Sequence, residues 1–229
     1  MNFPIPDINK FFETTKSLKG IFSIWGDYGI GKTTLALQTA INSSKQGNIL
    51  YFYSKPNFPY EKLRNILPEN PINILNNISF ISVLNFADLI TISANLEFLI
   101  LQQISEEQNL IKLIIIDSVT DLYRLEINRE RKEKNVALNY QLNQLLASLH
   151  FINETYKIDI LIVNEMSRKS YDNKTLEIQS GGKVMVYWVI NSIKISRTEQ
   201  LNVRALHLTK HLEEDDSNCL SNLTSHGFK

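Results

Sequence analysis

The chain has 229 residues, 43% of them hydrophobic and 21% charged, and its 24 Lys and Arg are matched by 24 Asp and Glu. That length buries the core of one α/β domain. Zero net charge excludes a uniformly basic coat, so any contact with nucleic acid has to come from a local patch. Cys219 is the single cysteine, which excludes a disulfide framework or a cysteine-rich metal site and fits a reducing, cytoplasmic setting. His150, His207, His211 and His226 show no metal-ligand spacing. No apolar run approaches the ~18 residues that a membrane helix needs, so no membrane partner is expected. The start, Met1 to Asp7, has neither the basic end nor the apolar core of a signal peptide.

Residues 1–19 read as a short lead-in, with Asp7 placed to cap a brief helix through Phe11 and Phe12. Ile21 to Trp25 is an apolar run with the look of a buried strand. Gly26-Asp-Tyr-Gly-Ile-Gly-Lys-Thr-Thr34 follows, and Lys32 to Thr34 open a helix through Ile41. The spacing is G-x-x-x-x-G-K-T, the phosphate-binding loop. Glycines at 26, 29 and 31 let backbone N–H groups turn inward on a phosphate, and the helix N-terminus adds partial positive charge. The loop from Gly26 through Asp27, Tyr28, Gly29, Ile30, Gly31, Lys32, Thr33 and Thr34 is therefore the expected nucleotide contact. Lys32 is the expected phosphate ligand and Thr33 a Mg²⁺ ligand. A glycine-rich turn can match this pattern by chance; the strand before it and the helix after it argue otherwise.

Ile49 to Tyr53 predicts a second strand, Tyr60 to Leu67 a helix, 68–77 an Asn-rich connection and Ile78 to Leu84 a third strand. Residues 88–107 carry apolar side chains at helical spacing. Leu113 to Asp117 is an unbroken apolar run ending in an acid, the pattern of a central parallel strand buried on both faces. Its carboxyl end points to the ligand crevice of a parallel sheet, which makes Asp117 the second expected Mg²⁺ ligand. A polar segment, 126–135, precedes a long helix from Ala137 to Thr155. Ile158 to Val163 predicts another buried strand. Residues 167–182 read as a polar loop, 184–196 and 203–208 as antiparallel strands, and the acidic stretch from Glu213 as a disordered tail. Strands alternating with helices, then a late antiparallel pair, give an α/β fold: a mixed, mostly parallel sheet with helices on both faces.

Leu113-Ile-Ile-Ile-Asp-Ser-Val-Thr-Asp-Leu-Tyr-Arg124 resembles the second nucleotide motif of the RecA-type strand-exchange recombinases, in particular their archaeal RadA and RadB branch. Tyr28 to Thr39 is similar to that branch's phosphate loop and helix. Ile162-Val-Asn-Glu165 sits where the family has a strand ending in Asn-Gln, and Gly181-Gly182 with 184–197 resembles the exit of its second DNA loop. The resemblance spans about 20–211 and implies a RecA-like P-loop NTPase core over 20–212, between the lead-in and a flexible tail at 213–229. It implies ATP and Mg²⁺ as cofactors, Asn164 and Glu165 as the link from γ-phosphate to DNA loop, and Lys62 where the family often places an arginine over the adenine. It also implies single-stranded DNA and a main RadA-type recombinase, or other recombination proteins, as partners, with a homo-oligomer possible. Nothing in 1–19 resembles the separate N-terminal domain of RadA itself, which suits a RadA paralogue.

Two departures stand out. Aligning Phe58 and Glu61-Lys62-Leu63 on the family pattern puts Lys55 at the position of the glutamate that polarises the attacking water. Losing a general base typically costs ~10²–10⁴-fold in rate. Glu165 stands where the family has a γ-phosphate-sensing Gln; either it pairs with Lys55 or it has taken over water activation, so Lys32 and Glu165 are the candidate catalytic residues. The family's two DNA loops would fall at 126–135, with Arg129, Arg131, Lys132 and Lys134, and at 167–183, with Arg168, Lys169, Tyr171, Lys174 and Lys183. The first also holds Glu126, Glu130 and Glu133, and reads equally as a solvated helix start laced with ion pairs. Three functions remain open: a recombination paralogue with weak ATP hydrolysis, an interaction module with ATP as a structural ligand, and a KaiC-like signalling ATPase or small-molecule kinase. Only the last lacks any supporting residue.

Overall fold

The computed structural model describes residues 1–13, 20–106, 110–127, 132–171, 174–211 and 215–229. The elements run α1 (Pro6–Glu13), β1 (Ile21–Gly26), α2 (Lys32–Ser43), β2 (Asn48–Tyr53), α3 (Tyr60–Ile66), α4 (Ile72–Leu75), β3 (Ile78–Ser82) and α5 (Phe86–Ser105). They continue with β4 (Ile111–Asp117), α6 (Val119–Glu126), α7 (Lys132–Tyr156), β5 (Asp159–Tyr171), β6 (Lys174–Gln179), α8 (Gly182–Trp188), β7 (Val189–Arg197), β8 (Val203–Lys210), β9 (Asp215–Thr224) and β10 (Gly227–Phe228). Among the described residues the sheet order is β10-β9-β8-β7-β1-β5-β4-β2-β3, with β6 paired to β5 alone. From β3 to β7 every pairing is parallel; β8, β9 and β10 extend that edge antiparallel.

The apolar runs become central strands because both of their faces are covered. Leu113 and Ile115 of β4 pack with Leu161 and Val163 of β5 on the face held by α1 and α2. Ile114 and Ile116 pack with Ile160 and Ile162 on the opposite face, under α5, α6 and α7. A strand alternates its side chains, so an uninterrupted apolar run is what two buried faces require. The lead-in belongs to the core: Ile8 and Phe12 of α1 are buried, and Phe12 meets Phe22 edge-on at 5.0 Å.

Four expectations need correction. Residues 167–182, read as a loop, instead lengthen β5 and return as β6, in a hairpin registered from Met166↔Gln179 to Tyr171↔Lys174. Residues 184–188, read as strand, lie in α8, and β7 starts at Val189. The polar segment at 126–135 is flanked by helix: α6 fills 119–126, and α7 starts at Lys132, so Lys132 and Lys134 lie in its first turn. Of the tail expected to be disordered from Glu213, residues 213–214 lie outside the described residues, and the rest instead forms β9, laddered on β8 from Val203↔Asn222 to Lys210↔Asp215, and β10, whose Phe228 is buried. Its polar composition hid it, because backbone pairing and one aromatic anchor hold it rather than an apolar stripe.

Candidate functional site

Three strand ends meet at one edge of the parallel sheet. In the register, Gly26 at the end of β1 lies opposite Glu165, Trp25 opposite Asn164, and Asp117 at the end of β4 opposite Val163. The chain leaves β1 through Gly26, at φ 147°. A Cβ there would sit 2.4 Å from the Ile195 carbonyl oxygen, so only glycine lets β1 turn so close to β7. Ile30 plugs into the core beneath the turn and fixes its base. Gly31, at φ 108°, precedes α2, and a Cβ on it would meet Leu223 and Phe228.

Lys32 opens α2 and folds back across the loop. Its Nζ donates to the carbonyl oxygens of Gly26 at 3.0 Å and Asp27 at 2.7 Å, and to Glu165 Oε2 at 2.8 Å. The other oxygen of Glu165 lies 3.9 Å from Lys55 Nζ, which is 3.7 Å from Asp121 Oδ2. Lys55 thus lies at the edge of ion-pair range of Glu165, whose near partner is Lys32, which neither sequence alternative named. Asp117 is wholly buried. Its Oδ2 accepts from Tyr51 Oη at 2.9 Å, while its Oδ1 has no hydrogen-bond partner. Burial raises its carboxyl above the ordinary carboxylate value, against the opposing pull of Lys55 and of the nearby Thr33 and Tyr51 hydroxyls. Burial and Asp117 push the Tyr51 hydroxyl well up, so it stays a donor. Tyr53, beside the same acids, is pushed up to about 12, chiefly by burial.

A cleft of about 320 Å³ opens over this loop, lined by Tyr28, Gly29, Gly31, Lys32, Thr33 and Thr34 from the loop side. Tyr53, Lys55, Pro59 and Lys62 line it from the segment after β2, and Leu223 and Thr224 from β9. An unpartnered, buried carboxylate oxygen next to a threonine hydroxyl at a helix start is a donor set suited to Mg²⁺, which takes one or two protein oxygens and fills its other positions with water and phosphate. Among the described residues no three His, Cys, Asp or Glu gather as a metal cage, so those two groups are what the protein side offers. The left-handed glycines, the start of α2 and the lysine are what a polyphosphate needs.

Asn164 is fully buried and braces the strand end rather than facing the cleft: its amide donates to Ser180 O at 2.9 Å and Gln179 Oε1 at 3.3 Å, and its oxygen accepts from Thr120 Oγ1. Ser23 of β1 donates to the same Gln179 oxygen at 2.7 Å, tying the hairpin base to the strand that carries the loop. Asp27 joins loop to hairpin from outside, 3.6 Å from Arg168 Nη2 and 3.3 Å from Arg197 Nη1. The Tyr28 amide first, then both arginines, hold its carboxyl below the ordinary value. Arg168 also faces Glu177 across the hairpin at 3.7 Å.

Of the expected DNA contacts, Arg168, Lys169, Lys132, Lys134 and Lys183 are exposed. Arg129 and Arg131 lie outside the described residues, as do the side chains of Tyr171 and Lys174 at the hairpin turn. Sequence reading missed Tyr51, Thr120, Gln179, Arg197 and the β9 wall. Tyr51 sat inside an apolar strand with nothing to mark its hydroxyl, and the others act only through long-range pairings.

The Rad51 family profile matches residues 7–226. The chain is 27% identical over 213 residues to the DNA repair and recombination protein RadB of Methanocaldococcus jannaschii, covering 92% of this chain and 93% of that one. It is 29% identical over 194 residues to RadB of Methanococcus maripaludis, covering 84% and 83%, and 26% identical over 193 residues to RadB of Methanobrevibacter smithii, covering 83% and 79%. With a match that runs from α1 to the turn before β10, and strand ends arranged around the G-x-x-x-x-G-K-T loop, the chain belongs to the Rad51 family.

Proposed function

We propose that the protein is an ATP-binding recombination and repair factor that binds single-stranded DNA and modulates a main recombinase, hydrolysing ATP slowly at most. One observation carries the nucleotide part: Lys32 and Thr33 line one cleft at the carboxyl end of β1, and the buried carboxyl of Asp117, with Oδ1 unpartnered, lies beside the Thr33 hydroxyl at the end of β4. The printed names of the relatives, DNA repair and recombination protein RadB, support the biological role. The exposed cations of the β5–β6 hairpin support the DNA contact. Slow turnover is favoured because Lys55 occupies the expected position of the base, and Glu165 is engaged by two cations.

Calorimetry with Mg-ATP tests the first part, and fluorescence anisotropy with labelled single strands at low salt tests the second. Absence of heat in one or of binding in the other refutes that part. The same Lys55 and Glu165 pairing favours a second reading, a non-catalytic module in which ATP is a structural ligand. Tight binding with no turnover, with or without DNA, selects it.

A further inference from the structure

The geometry points to Glu165 as a specificity-determining residue that makes the phosphate cradle prefer a nucleoside diphosphate to a triphosphate. This rests on the nucleotide-site reading above and adds which phosphate chain the site holds best.

An ammonium has three N–H donors, and Lys32 has spent all of them inside the protein: two on loop carbonyls and one on Glu165 at 2.8 Å. The Glu165 pair is the strong bond of the three, charge-assisted and nearly enclosed, with side-chain exposures of 5% and 11%. The carboxylate therefore already occupies the cation that a phosphate chain would seek. The surroundings supply no surplus. Lys32, Lys55 and the cleft-lining Lys62 are matched by Glu165, Asp121 and buried Asp117. A neutral amide in place of Glu165 would leave that cluster one positive charge richer. Each added phosphate brings negative charge toward an ammonium that a carboxylate already satisfies, and the Glu165 carboxylate, only 11% exposed, is weakly screened from it. A diphosphate meets that repulsion least.

The main chain that carries Glu165 is anchored on both sides. Its amide N–H donates to Thr120 Oγ1 at 3.2 Å, and its carbonyl oxygen accepts from Ser180 N at 2.9 Å. Lys55, 3.9 Å from Oε1, is the alternative cation to which the carboxylate can turn. Lys55 thus moderates the preference.

Titration calorimetry with Mg-ADP and with a Mg-bound non-hydrolysable ATP analogue tests this on the full chain and on the Glu165→Gln and Lys55→Gln variants. The expected result is tighter binding of ADP by the unsubstituted chain. Glu165→Gln lowers the ratio of the two affinities by about tenfold or more, and Lys55→Gln raises it. Lys55 is partly exposed, so its variant decides the matter even if Glu165→Gln fails to fold. An unchanged ratio in the variants, or a triphosphate preference in the unsubstituted chain, overturns the inference while leaving the nucleotide site standing. Binding of neither nucleotide overturns both.

Discussion

Replacing Asp117 with Asn is expected to stabilise the nucleotide-free protein and to remove its response to magnesium nucleotide. Asp117 is wholly buried, with Oδ1 unpartnered and its carboxyl raised by burial. An acid whose folded pKa is raised costs stability once pH exceeds that value; the cost fades as pH falls back toward the unfolded value. Asn has nearly the same shape, keeps an acceptor for the Tyr51 hydroxyl, and carries no charge to desolvate. At neutral pH the gain is about 1–2 kcal/mol, or roughly 2–8 °C in melting temperature for a domain of this size. The unsubstituted chain gains about 2.7 kcal/mol at a ligand concentration of 100 times Kd, and Asp117→Asn should lose most of that gain. Differential scanning calorimetry with and without Mg-ATP reads both effects. A lower melting temperature in the free variant, or an undiminished nucleotide shift, refutes the reasoning.

Lys32→Ala strands Glu165 with only Lys55 at 3.9 Å, so it should destabilise the fold by about 3–5 kcal/mol as well as abolish nucleotide binding; denaturant melts should show Glu165→Gln restoring stability to the double variant but not binding. Ile115→Ala, at a fully buried site in β4, should cost about 2–5 kcal/mol in the same melts with no specific effect on DNA. Phe228→Ala should cost about 3–5 kcal/mol and weaken nucleotide binding in calorimetry, because it undermines the β9–β10 wall beside Gly31. Lys169→Ala should lower the salt dependence of single-strand binding by about one counterion, measured as the slope of log K against log salt; an unaltered slope removes Lys169 from the interface.

The parallel centre of the sheet was legible because burial on two faces leaves a one-dimensional trace, the unbroken runs at 113–117 and 158–163. The phosphate loop was legible because its glycines are demanded by backbone geometry. The β5–β6 hairpin was not, since β6 pairs with β5 alone and the described residues at 166–169 and 175–179 are half-buried or exposed, so they need no apolar alternation. Its signal is instead pairwise, as where Arg168 meets Glu177 across the ladder. Helix α6 was missed because only eight residues follow directly on a strand, though Ser118 caps it at the Asp121 amide at 3.2 Å. The pairing of Lys32 with Glu165, 133 positions apart, is invisible to any local pattern. The departure from the family's Gln drew attention to Glu165, but toward Lys55 rather than Lys32.

The wall of the cleft has a consequence for how the protein is made. Phe228 exchanges hydrogen bonds with Gln38 of α2, 190 positions earlier. During synthesis, the glycine loop leaves the ribosome long before the strand that shelters it, and a prematurely released product would expose an unfinished cradle. Ligand capture thereby waits on the docking of β9 and β10, so an early helix and a late strand have to meet before the cradle is whole.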